Sequence, residues 1–350
     1  MTPTPPTDRL RVVIATPMSP ANVDLLRSLE PRIEVIHDPE LAGPASDNWM
    51  EEYDRPAGLQ EAFEAYVDSA DVLYGVPDQS GRALARTVAA NPGLRWVHTI
   101  PAGGGQQVRA ARLDEDALQR IVFTTSAGVH AEPLAEFAVF GVLAGAKLLP
   151  WLLEEKAAHH WGERRVMPIA SDLTVAVVGL GSIGRATAAK LSGLGYTVVG
   201  VHRREVEAPG VSRIRPVEQL AEVLAEADAV VMALPGTDST RGMLSREVLA
   251  AAKPGITVVN VGRGTTIDEE ALIEALGEGR AGLAVLDVTA VEPLAPDSPL
   301  WDLPNAIVAP HTAAISPHEP RLIAELFAEN ARRFLDGEPL LNRVDTREFY

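Results

Sequence analysis

The sequence predicts an α/β protein with two parallel-sheet domains. Short runs of β-branched residues alternate with helical stretches along most of the chain, which is the pattern of βαβ units. A second series of this kind begins at Leu173, after a segment, Met167–Asp172, that is predicted to be a linker. The length of 350 residues suits two domains of ordinary size, each large enough to bury its own core.

Composition and charge narrow the possible functions. The chain contains no cysteine, which excludes disulfides, thiolate metal sites and a cysteine nucleophile, and fits a cytoplasmic location. Its formal net charge of −17 disfavours nucleic acid and anionic membrane surfaces as partners. No run reaches the roughly 18 consecutive apolar residues that span a bilayer, and the N-terminal residues lack the apolar run of a signal peptide. An anionic substrate needs a site with its own local positive charge.

The first series predicts a domain with five strands. A helix, Pro20–Leu29, follows the first strand. A polar and acidic segment, Gly43–Gly58, which contains Trp49 and Tyr53, is predicted to be a surface insertion. The predicted strands are Arg11–Thr16, Ile33–Asp38, Val72–Gly75, Leu94–Ile100 and Ile121–Thr125.

The second series lies between two predicted helices. One long apolar helix is expected from about Glu132 to His159. The last helix, Arg321–Leu335, is amphipathic and is expected to pack on the first domain through Leu322, Phe327 and Phe334. The strands predicted between the two helices are Thr174–Gly179, Thr197–Val201, Ala229–Leu234, Thr257–Val261, Leu283–Val288 and Ala306–Ala309.

A glycine-rich turn follows the first strand of the second series. Residues 175–184 are Val-Ala-Val-Val-Gly-Leu-Gly-Ser-Ile-Gly, an apolar strand that runs into GxGxxG and then a helix. Gly179 permits the tight turn, Gly181 lets the backbone approach a pyrophosphate, and Gly184 lets the helix pack on the strand. Together with Ser182 and Ile183, the free N–H groups at the helix start predict the dinucleotide site of a Rossmann domain. The alternative is a glycine turn that only tightens a loop.

The end of the next strand bears on which dinucleotide is bound. An NAD site usually carries Asp or Glu about 20 residues beyond the glycines, where it bonds the ribose 2′-hydroxyl. Here the strand Thr197–Val201 ends in His202, Arg203 and Arg204, and the two arginines could clamp a 2′-phosphate. The sequence therefore favours NADP over NAD as cofactor, unless the arginines are simply solvated on a loop.

Three ionisable residues, Arg263, Glu292 and His311, each follow a different strand of the second series. The carboxyl ends of parallel strands meet at one edge of a sheet, so we expect all three beside the glycine turn. An arginine can hold a carboxylate, and a histidine beside a glutamate can exchange a proton near neutral pH. A surface arginine, a turn-capping glutamate and a structural histidine are the ordinary alternatives. Their joint occurrence at successive strand ends predicts an active site.

These motifs resemble the D-isomer-specific 2-hydroxyacid dehydrogenases, and most strongly their glyoxylate and hydroxypyruvate reductase branch. The likeness runs in order and spacing across most of Leu94–Val344. It implies NAD(P)H-dependent reduction of a small 2-oxo acid to the D-2-hydroxy acid, and the reverse oxidation. The segments that carry the resemblance are Val178–Gly184, Leu234–Gly242, Val259–Leu272, Leu286–Leu294 and Asn305–His311.

The resemblance implies catalytic roles for three residues. Arg263 would bind the carboxylate and carbonyl of the substrate, His311 would be the acid–base, and Glu292 would be its partner. A metal enzyme has little support, because the adjacent His159 and His160 lack further ligands at a useful spacing.

The resemblance also implies which residues surround the two ligands. A loop of the first domain with Ala102, Gly103 and Gly104 would bind the substrate carboxylate through backbone N–H groups. Asp287 matches a family position near the nicotinamide carboxamide, and Thr237 lies on a loop that lines the cofactor. The other expected cofactor contacts are Leu234, Pro235, Thr240, Val261 and Gly262.

The implied architecture is two Rossmann/flavodoxin-like domains with the active site in the cleft between them. Residues 1–125 and 320–350 would form the substrate-binding domain, and residues 126–319 the dinucleotide-binding domain. A homodimer is expected, and Trp161 resembles a tryptophan that reaches the partner subunit's site in some reductases of this branch. Ser126 stands where many relatives carry Asn, so a contact near the hinge is expected to differ.

Other functions remain compatible with these residues. A phosphoglycerate dehydrogenase-like enzyme would share the fold, whereas a formate dehydrogenase would carry glutamine in place of Glu292. A non-catalytic NAD(P)-sensing binding protein of the same fold is the alternative from a different functional class.

Overall fold

A computed structural model describes residues 9–44, 53–56 and 58–349 of the chain, and most of the predicted Gly43–Gly58 insertion lies outside them. The chain forms two compact units. The first unit extends to Val129 and resumes at Pro317, and the second unit is His130–Ser316. The backbone therefore passes twice between the units.

The first unit contains a five-stranded parallel sheet in the order β2-β1-β3-β4-β5. The five predicted strands are confirmed. Val12 and Ile14 pack into a core on one face of the sheet, and Val13 packs into a core on the other, so β1 is buried on both faces. The strands are β1 Leu10–Ile14, β2 Ile33–Ile36, β3 Val72–Tyr74, β4 Trp96–Thr99 and β5 Val122–Thr125. The helices before Val129 are α1 Pro20–Leu29, α2 Pro39–Ala42, α3 Gln60–Asp68, α4 Gly81–Ala90, α5 Gly105–Ala110 and α6 Glu115–Arg120.

The second unit contains a seven-stranded parallel sheet in the order β12-β11-β10-β9-β6-β7-β8. The chain runs from β6 to one side of the sheet and then returns to β9 on the other side, so the strand order reverses between β6 and β9. Ligands of such sheets bind outside the carboxyl ends of the strands at this reversal. The strands are β6 Thr174–Val178, β7 Thr197–Val201, β8 Arg213–Arg215, β9 Ala229–Met232, β10 Ile256–Asn260, β11 Ala281–Leu286 and β12 Ala306–Val308. The helices are α7 Ala131–Ala146, α8 Leu149–Ala157, α9 Ser182–Gly193, α10 Leu220–Glu226, α11 Arg246–Ala251 and α12 Glu269–Gly277.

The long helix expected from Glu132 to His159 is wrong. Leu148 has a φ of 54°, and the axes of α7 and α8 are bent by 66°. Pro150 has no N–H to donate to the carbonyl four residues earlier, so an uninterrupted helix is unfavourable at this point. Within the described ranges, no single helix is long and apolar enough to cross a bilayer, although α7 and α8 pass that length and composition test as a bent pair.

The C-terminal helix α13, Glu319–Asp336, packs on the first unit, as expected. Phe327 is fully buried and stacks on Trp96 with 4.7 Å between the ring centroids. Phe334 is partly buried, as expected. Leu322 is 38% exposed, so the prediction that it belongs to the buried stripe is wrong. Ile323, the next residue, is buried instead, which rotates the apolar stripe by one position.

His98 is buried in the sheet of the first unit. Its Nδ1 lies 2.9 Å from Oγ1 of Thr124 and its Nε2 lies 3.1 Å from Oγ of Ser126. Burial in this apolar core lowers the pKa of His98 to about 3. The imidazole is therefore neutral in the folded protein near neutral pH.

The buried imidazole predicts that stability is lost as the pH falls. The folded-state pKa of about 3 lies below the reference value of 6.5, so the unfolded chain binds one more proton between these pH values. His98 therefore lowers the free energy of unfolding by about 1.4 kcal/mol per pH unit below that reference. Urea unfolding of the wild type and of His98→Gln, compared between about pH 4.5 and about pH 7.5, measures this dependence. The variant should lose about 3 kcal/mol less than the wild type; equal losses would contradict the prediction.

Candidate active site

The glycine turn connects β6 to α9 at the reversal of strand order. Gly179 has a φ of 95°, a conformation that favours glycine. A Cβ on Gly184 would lie 1.8 Å from the carbonyl oxygen of Gly179, so the start of α9 can approach the strand only because this residue has no side chain. A Cβ on Gly181 would meet no atom within 4 Å, which leaves open space beside the turn. Ser182 is exposed and Ile183 is partly buried in the first turn of α9. The turn therefore fits a dinucleotide pyrophosphate.

A basic cluster lies at the end of β7, next to this turn. Nδ1 of His202 accepts a hydrogen bond from the N–H of Leu180 at 3.3 Å. Burial, together with the positive charges of Arg203, Arg185 and Arg204, lowers the pKa of His202. Arg185, in the first turn of α9, is therefore a further positive charge of this cluster, which the sequence analysis did not name. The cluster is suited to a polyanionic group.

The expected cofactor-lining residues lie beyond the carboxyl ends of β9 and β10. Oγ1 of Thr240 donates to the carbonyl of Pro235 at 2.6 Å, which closes the loop after β9. A Cβ on Gly262 would lie 2.5 Å from the carbonyl oxygen of Leu234, so the turns after the two strands are in close contact. Val261 is buried. All five residues therefore lie on loops at the same edge of the sheet as the glycine turn.

Asp287, just after β11, organises the loop that carries His311. Its buried Oδ1 accepts hydrogen bonds from the backbone N–H groups of Thr312 and Ala313, both at 2.9 Å. Its carbonyl accepts from the N–H of His311 at 3.0 Å. His311 itself has a φ of 52°, a conformation that costs free energy outside glycine and that these bonds help to maintain. The structure thus gives Asp287 a direct structural role at the histidine.

Glu292 and His311 are in direct contact. Oε2 of Glu292 lies 2.8 Å from Nδ1 of His311, and Oε1 accepts from the N–H of Thr289 at 3.1 Å. The same loop is held by Glu269, whose Oε2 accepts from the N–H of Ala290 at 2.8 Å. Both carboxylate oxygens of Glu292 are therefore engaged, and the imidazole is oriented through one of its nitrogens. Its Nε2 is the nitrogen left for a reacting group.

Arg263 follows β10, the strand next to β11. Buried Asn260 shapes this turn, because its Oδ1 accepts from the N–H of Gly262 at 3.0 Å and its Nδ2 donates to the carbonyl of Arg263 at 3.1 Å. The exposed guanidinium donates to the carbonyl of Gly262 at 2.8 Å. A Cβ on Gly264 would lie 1.9 Å from the carbonyl oxygen of Thr289, so this turn packs directly on the loop of Glu292. Backbone packing thus brings Arg263 beside the Glu292 loop, which in turn contacts His311.

The expected carboxylate loop belongs to the first unit, beyond the end of β4. Ala102 and Gly103 are exposed, and Gly104 is buried. A Cβ on Gly104 would lie 1.7 Å from Oγ1 of Thr99, so only glycine allows the loop to fold back on the strand. The loop therefore has a defined position on its own sheet.

Sequence reasoning missed two supporting residues of this site, Asn260 and Glu269, and the structural role of a third, Asp287. Asn260 and Glu269 both lie inside the Val259–Leu272 motif, which was a usable signal. The use of Asp287 as an anchor for the His311 loop had no local signal, because its partners lie 25 and 26 residues away. These three residues bond the backbone around Arg263, Glu292 and His311.

The chain is similar to known proteins over most of its length. Residues 139–313 match the family model described as D-isomer specific 2-hydroxyacid dehydrogenase, NAD binding domain. The glyoxylate reductase/hydroxypyruvate reductase of Mus musculus is 30% identical over 306 residues, which cover 85% of this chain and 90% of that protein. The D-3-phosphoglycerate dehydrogenase of Mycobacterium tuberculosis H37Rv is also 30% identical, over 81% of this chain but only 55% of that protein.

A solved structure with a bound dinucleotide is similar over nearly the whole chain. It is the NADPH-dependent glyoxylate/hydroxypyruvate reductase of Sinorhizobium meliloti in complex with NADP and sulfate. Its sequence identity is 25% and its TM-score is 0.76, with 97% of this chain and 99% of that chain covered. The chain belongs to the D-isomer specific 2-hydroxyacid dehydrogenase family, on its glyoxylate/hydroxypyruvate reductase-like branch, and is an NAD(P)-dependent oxidoreductase.

Proposed function

We propose that this enzyme reduces a small 2-oxo acid of the glyoxylate or hydroxypyruvate kind to the D-2-hydroxy acid with NAD(P)H, and catalyses the reverse oxidation. The observation that carries the proposal is the 2.8 Å contact between Glu292 Oε2 and His311 Nδ1. This pair lies at the carboxyl edge of the sheet that also holds the glycine turn. The names of the Mus musculus and Sinorhizobium meliloti relatives support this substrate class.

The proposed mechanism assigns one step to each catalytic side chain. Arg263 holds the substrate carboxylate and stabilises the negative charge that develops on the carbonyl oxygen. The nicotinamide, when bound, supplies the hydride that reduces C2. Nε2 of His311 gives its proton to the same oxygen, and Glu292 stabilises the positively charged imidazole before that transfer. In the oxidative direction, His311 takes the proton back from the hydroxyl group.

The two units take different parts in this proposal. Residues 1–125 and 320–350 are assigned to substrate binding, through the backbone N–H groups of Ala102, Gly103 and Gly104. Residues 126–319 are assigned to dinucleotide binding along the turn from Gly179 to Gly184. The space that glycine leaves at this turn supports the second assignment.

The proposed preference for NADP over NAD rests on charge. The tip of β7 carries His202, Arg203 and Arg204 instead of the carboxylate that would bond a ribose 2′-hydroxyl. Arg185 adds a further positive charge that acts on His202. A 2′-phosphate carries negative charge that this cluster attracts, and it would be repelled by an acidic residue in the same place.

A spectrophotometric screen tests both the substrate class and the cofactor preference. Glyoxylate, hydroxypyruvate, 3-phosphohydroxypyruvate, pyruvate and bulkier 2-oxo acids are assayed with NADPH and NADH in parallel. We expect glyoxylate or hydroxypyruvate to give the highest kcat/KM, and NADPH to be preferred by about tenfold, as loss of one charge-assisted contact would predict. Arg204→Glu should reduce that preference, and Arg213→Glu, at β8, is the matched control.

A higher kcat/KM for 3-phosphohydroxypyruvate would favour a phosphoglycerate dehydrogenase. Dinucleotide binding without turnover of any 2-oxo acid would favour an NAD(P)-sensing protein.

We also propose a homodimer formed through the second unit. Large apolar side chains are exposed on and after α7 and α8, and Trp161 and Val166 are 97% and 93% exposed. Patches of this kind commonly mark protein interfaces. Sedimentation velocity of the wild type and of Trp161→Glu tests the assignment, because a monomeric wild type would exclude it.

A further inference from the structure

The loop that follows β3 has an unusual backbone. We refer to Gly75–Ser80 as the β3 loop. Asp78 and Gln79 have φ angles of 49° and 48°, so two consecutive residues with side chains adopt the left-handed conformation. Such a conformation persists where surrounding contacts hold it in place.

Arg55 supplies such contacts from outside the loop. Its Nη2 lies 2.9 Å from Oδ1 of Asp78, its Nη1 donates to Oε1 of Gln60 at 2.8 Å, and its Nε donates to the carbonyl of Leu41 at 2.7 Å. The guanidinium carbon lies 3.6 Å from the centroid of the Phe63 ring. Only 8% of the Arg55 side chain is exposed. One arginine therefore joins the β3 loop to α2 and to the start of α3.

The segment that carries Arg55 is anchored next to it. The hydroxyl of Tyr53 donates to the carbonyl of Glu40 at 3.1 Å. A Cβ on Gly43, which has a φ of 105°, would lie 3.2 Å from the Tyr53 ring, so the ring packs directly on this glycine. The segment that carries Arg55 is therefore held in place by contacts other than those of Arg55 itself.

The β3 loop begins beside the strand that leads into the expected carboxylate loop. β3 and β4 are neighbours in the sheet with Tyr74 opposite His98, and the N–H of Gly75 donates to the carbonyl of His98 at 2.8 Å. The β3 loop and the loop with Ala102 and Gly103 therefore leave adjacent strand ends at one edge of the first unit. A substrate carboxylate held by the second loop is repelled by any uncompensated carboxylate of the first.

We propose that Arg55 is a positioning residue that fixes the β3 loop and neutralises Asp78 so that an anionic 2-oxo acid can bind. This inference rests on the proposed function of the carboxylate loop. It predicts an effect on the KM of the 2-oxo acid and none on the binding of the dinucleotide, which is assigned to the second unit.

The test compares Arg55→Met and Arg55→Lys with the matched control Arg86→Met. Methionine keeps the apolar packing on Phe63, whereas lysine also keeps one positive charge. Arg86 is another arginine of the first unit, more exposed than Arg55, and it pairs with Asp68 at 2.6 Å. We expect Arg55→Met to raise the KM of the 2-oxo acid about tenfold, the effect of losing one charge-assisted hydrogen bond, with the KM of NADPH unchanged. Arg55→Lys should fall between it and the wild type, and Arg86→Met should match the wild type.

Amide hydrogen exchange provides a second readout that needs no activity. The N–H groups of Gln79 and Ser80 donate to the carbonyls of Val76 and Pro77, both at 3.0 Å, and should exchange faster in Arg55→Met than in Arg86→Met. An active Arg55→Met enzyme with a wild-type KM for the 2-oxo acid would overturn this inference but not the proposed function. Unchanged exchange at both amides would do the same. A wild type that turns over no 2-oxo acid would instead overturn the proposed function, and with it the substrate role of Arg55.

Discussion

Replacing His311 with alanine is expected to lower kcat about 10³-fold while the Kd of NADPH stays within about twofold of the wild type. The reason is that Nε2 of His311 is assigned the proton that reaches the carbonyl oxygen as C2 is reduced. The dinucleotide is assigned to the glycine turn and the basic cluster, which this substitution does not touch. Steady-state kinetics and a fluorescence titration with NADPH measure the two quantities separately.

The control for this prediction is His318→Ala, which removes an exposed histidine outside the catalytic pair, at the start of α13. It should leave kcat unchanged. Equal losses of kcat and of NADPH affinity in His311→Ala would contradict the assigned role, because they would indicate a general disturbance of the site. Since Glu292 is assigned to act through His311, Glu292→Gln/His311→Ala should be no slower than His311→Ala alone.

Local patterns in the sequence were enough to predict most of the two sheets. Buried parallel strands are near-continuous apolar runs, and the turn with Gly179 and Gly184 stands between such a strand and a helix. β8 was missed because its residues, Arg-Ile-Arg, lie at the edge of the sheet and are not buried. The break at Leu148 was missed because apolar composition continues across it, and only Pro150 marked the interruption.

Contacts between distant parts of the chain set the limit of prediction at the site. The residue types at Arg263, Glu292 and His311 and their order after successive strands were visible, and the structure adds the contact between the last two. Their catalytic roles stay predictions. The bond between Arg55 and Asp78 joins residues 23 positions apart across a segment with no regular pattern, so nothing in the local sequence indicated it. The prediction that Leu322 is buried was wrong for a related reason. Core contacts decide how α13 is rotated about its axis, and periodicity alone located the apolar stripe only to within one residue.

Replacing Arg263 with alanine is expected to lower kcat/KM for the 2-oxo acid about 10³-fold, because it removes a bidentate charged contact and the stabilisation of the developing oxyanion. Arg263→Lys should retain little of the lost activity, since an ammonium group cannot reproduce the two parallel hydrogen bonds of a guanidinium. The Kd of NADPH should be unchanged in both variants. Initial-rate kinetics across a range of 2-oxo acid concentrations measure the effect.

Rescue by added guanidinium separates a missing functional group from a damaged fold. Guanidinium at millimolar concentration should restore part of the activity of Arg263→Ala and none of that of His311→Ala, whose missing group has different chemistry. The matched control is Arg246→Ala, which removes an exposed arginine of the same unit that pairs with Glu274 and should leave kcat/KM unchanged. If Arg263→Ala kept its kcat/KM, the substrate carboxylate would have to be held without this side chain. The backbone loop of Ala102, Gly103 and Gly104 would then have to bind it alone, and the developing charge on the carbonyl oxygen would be left to His311.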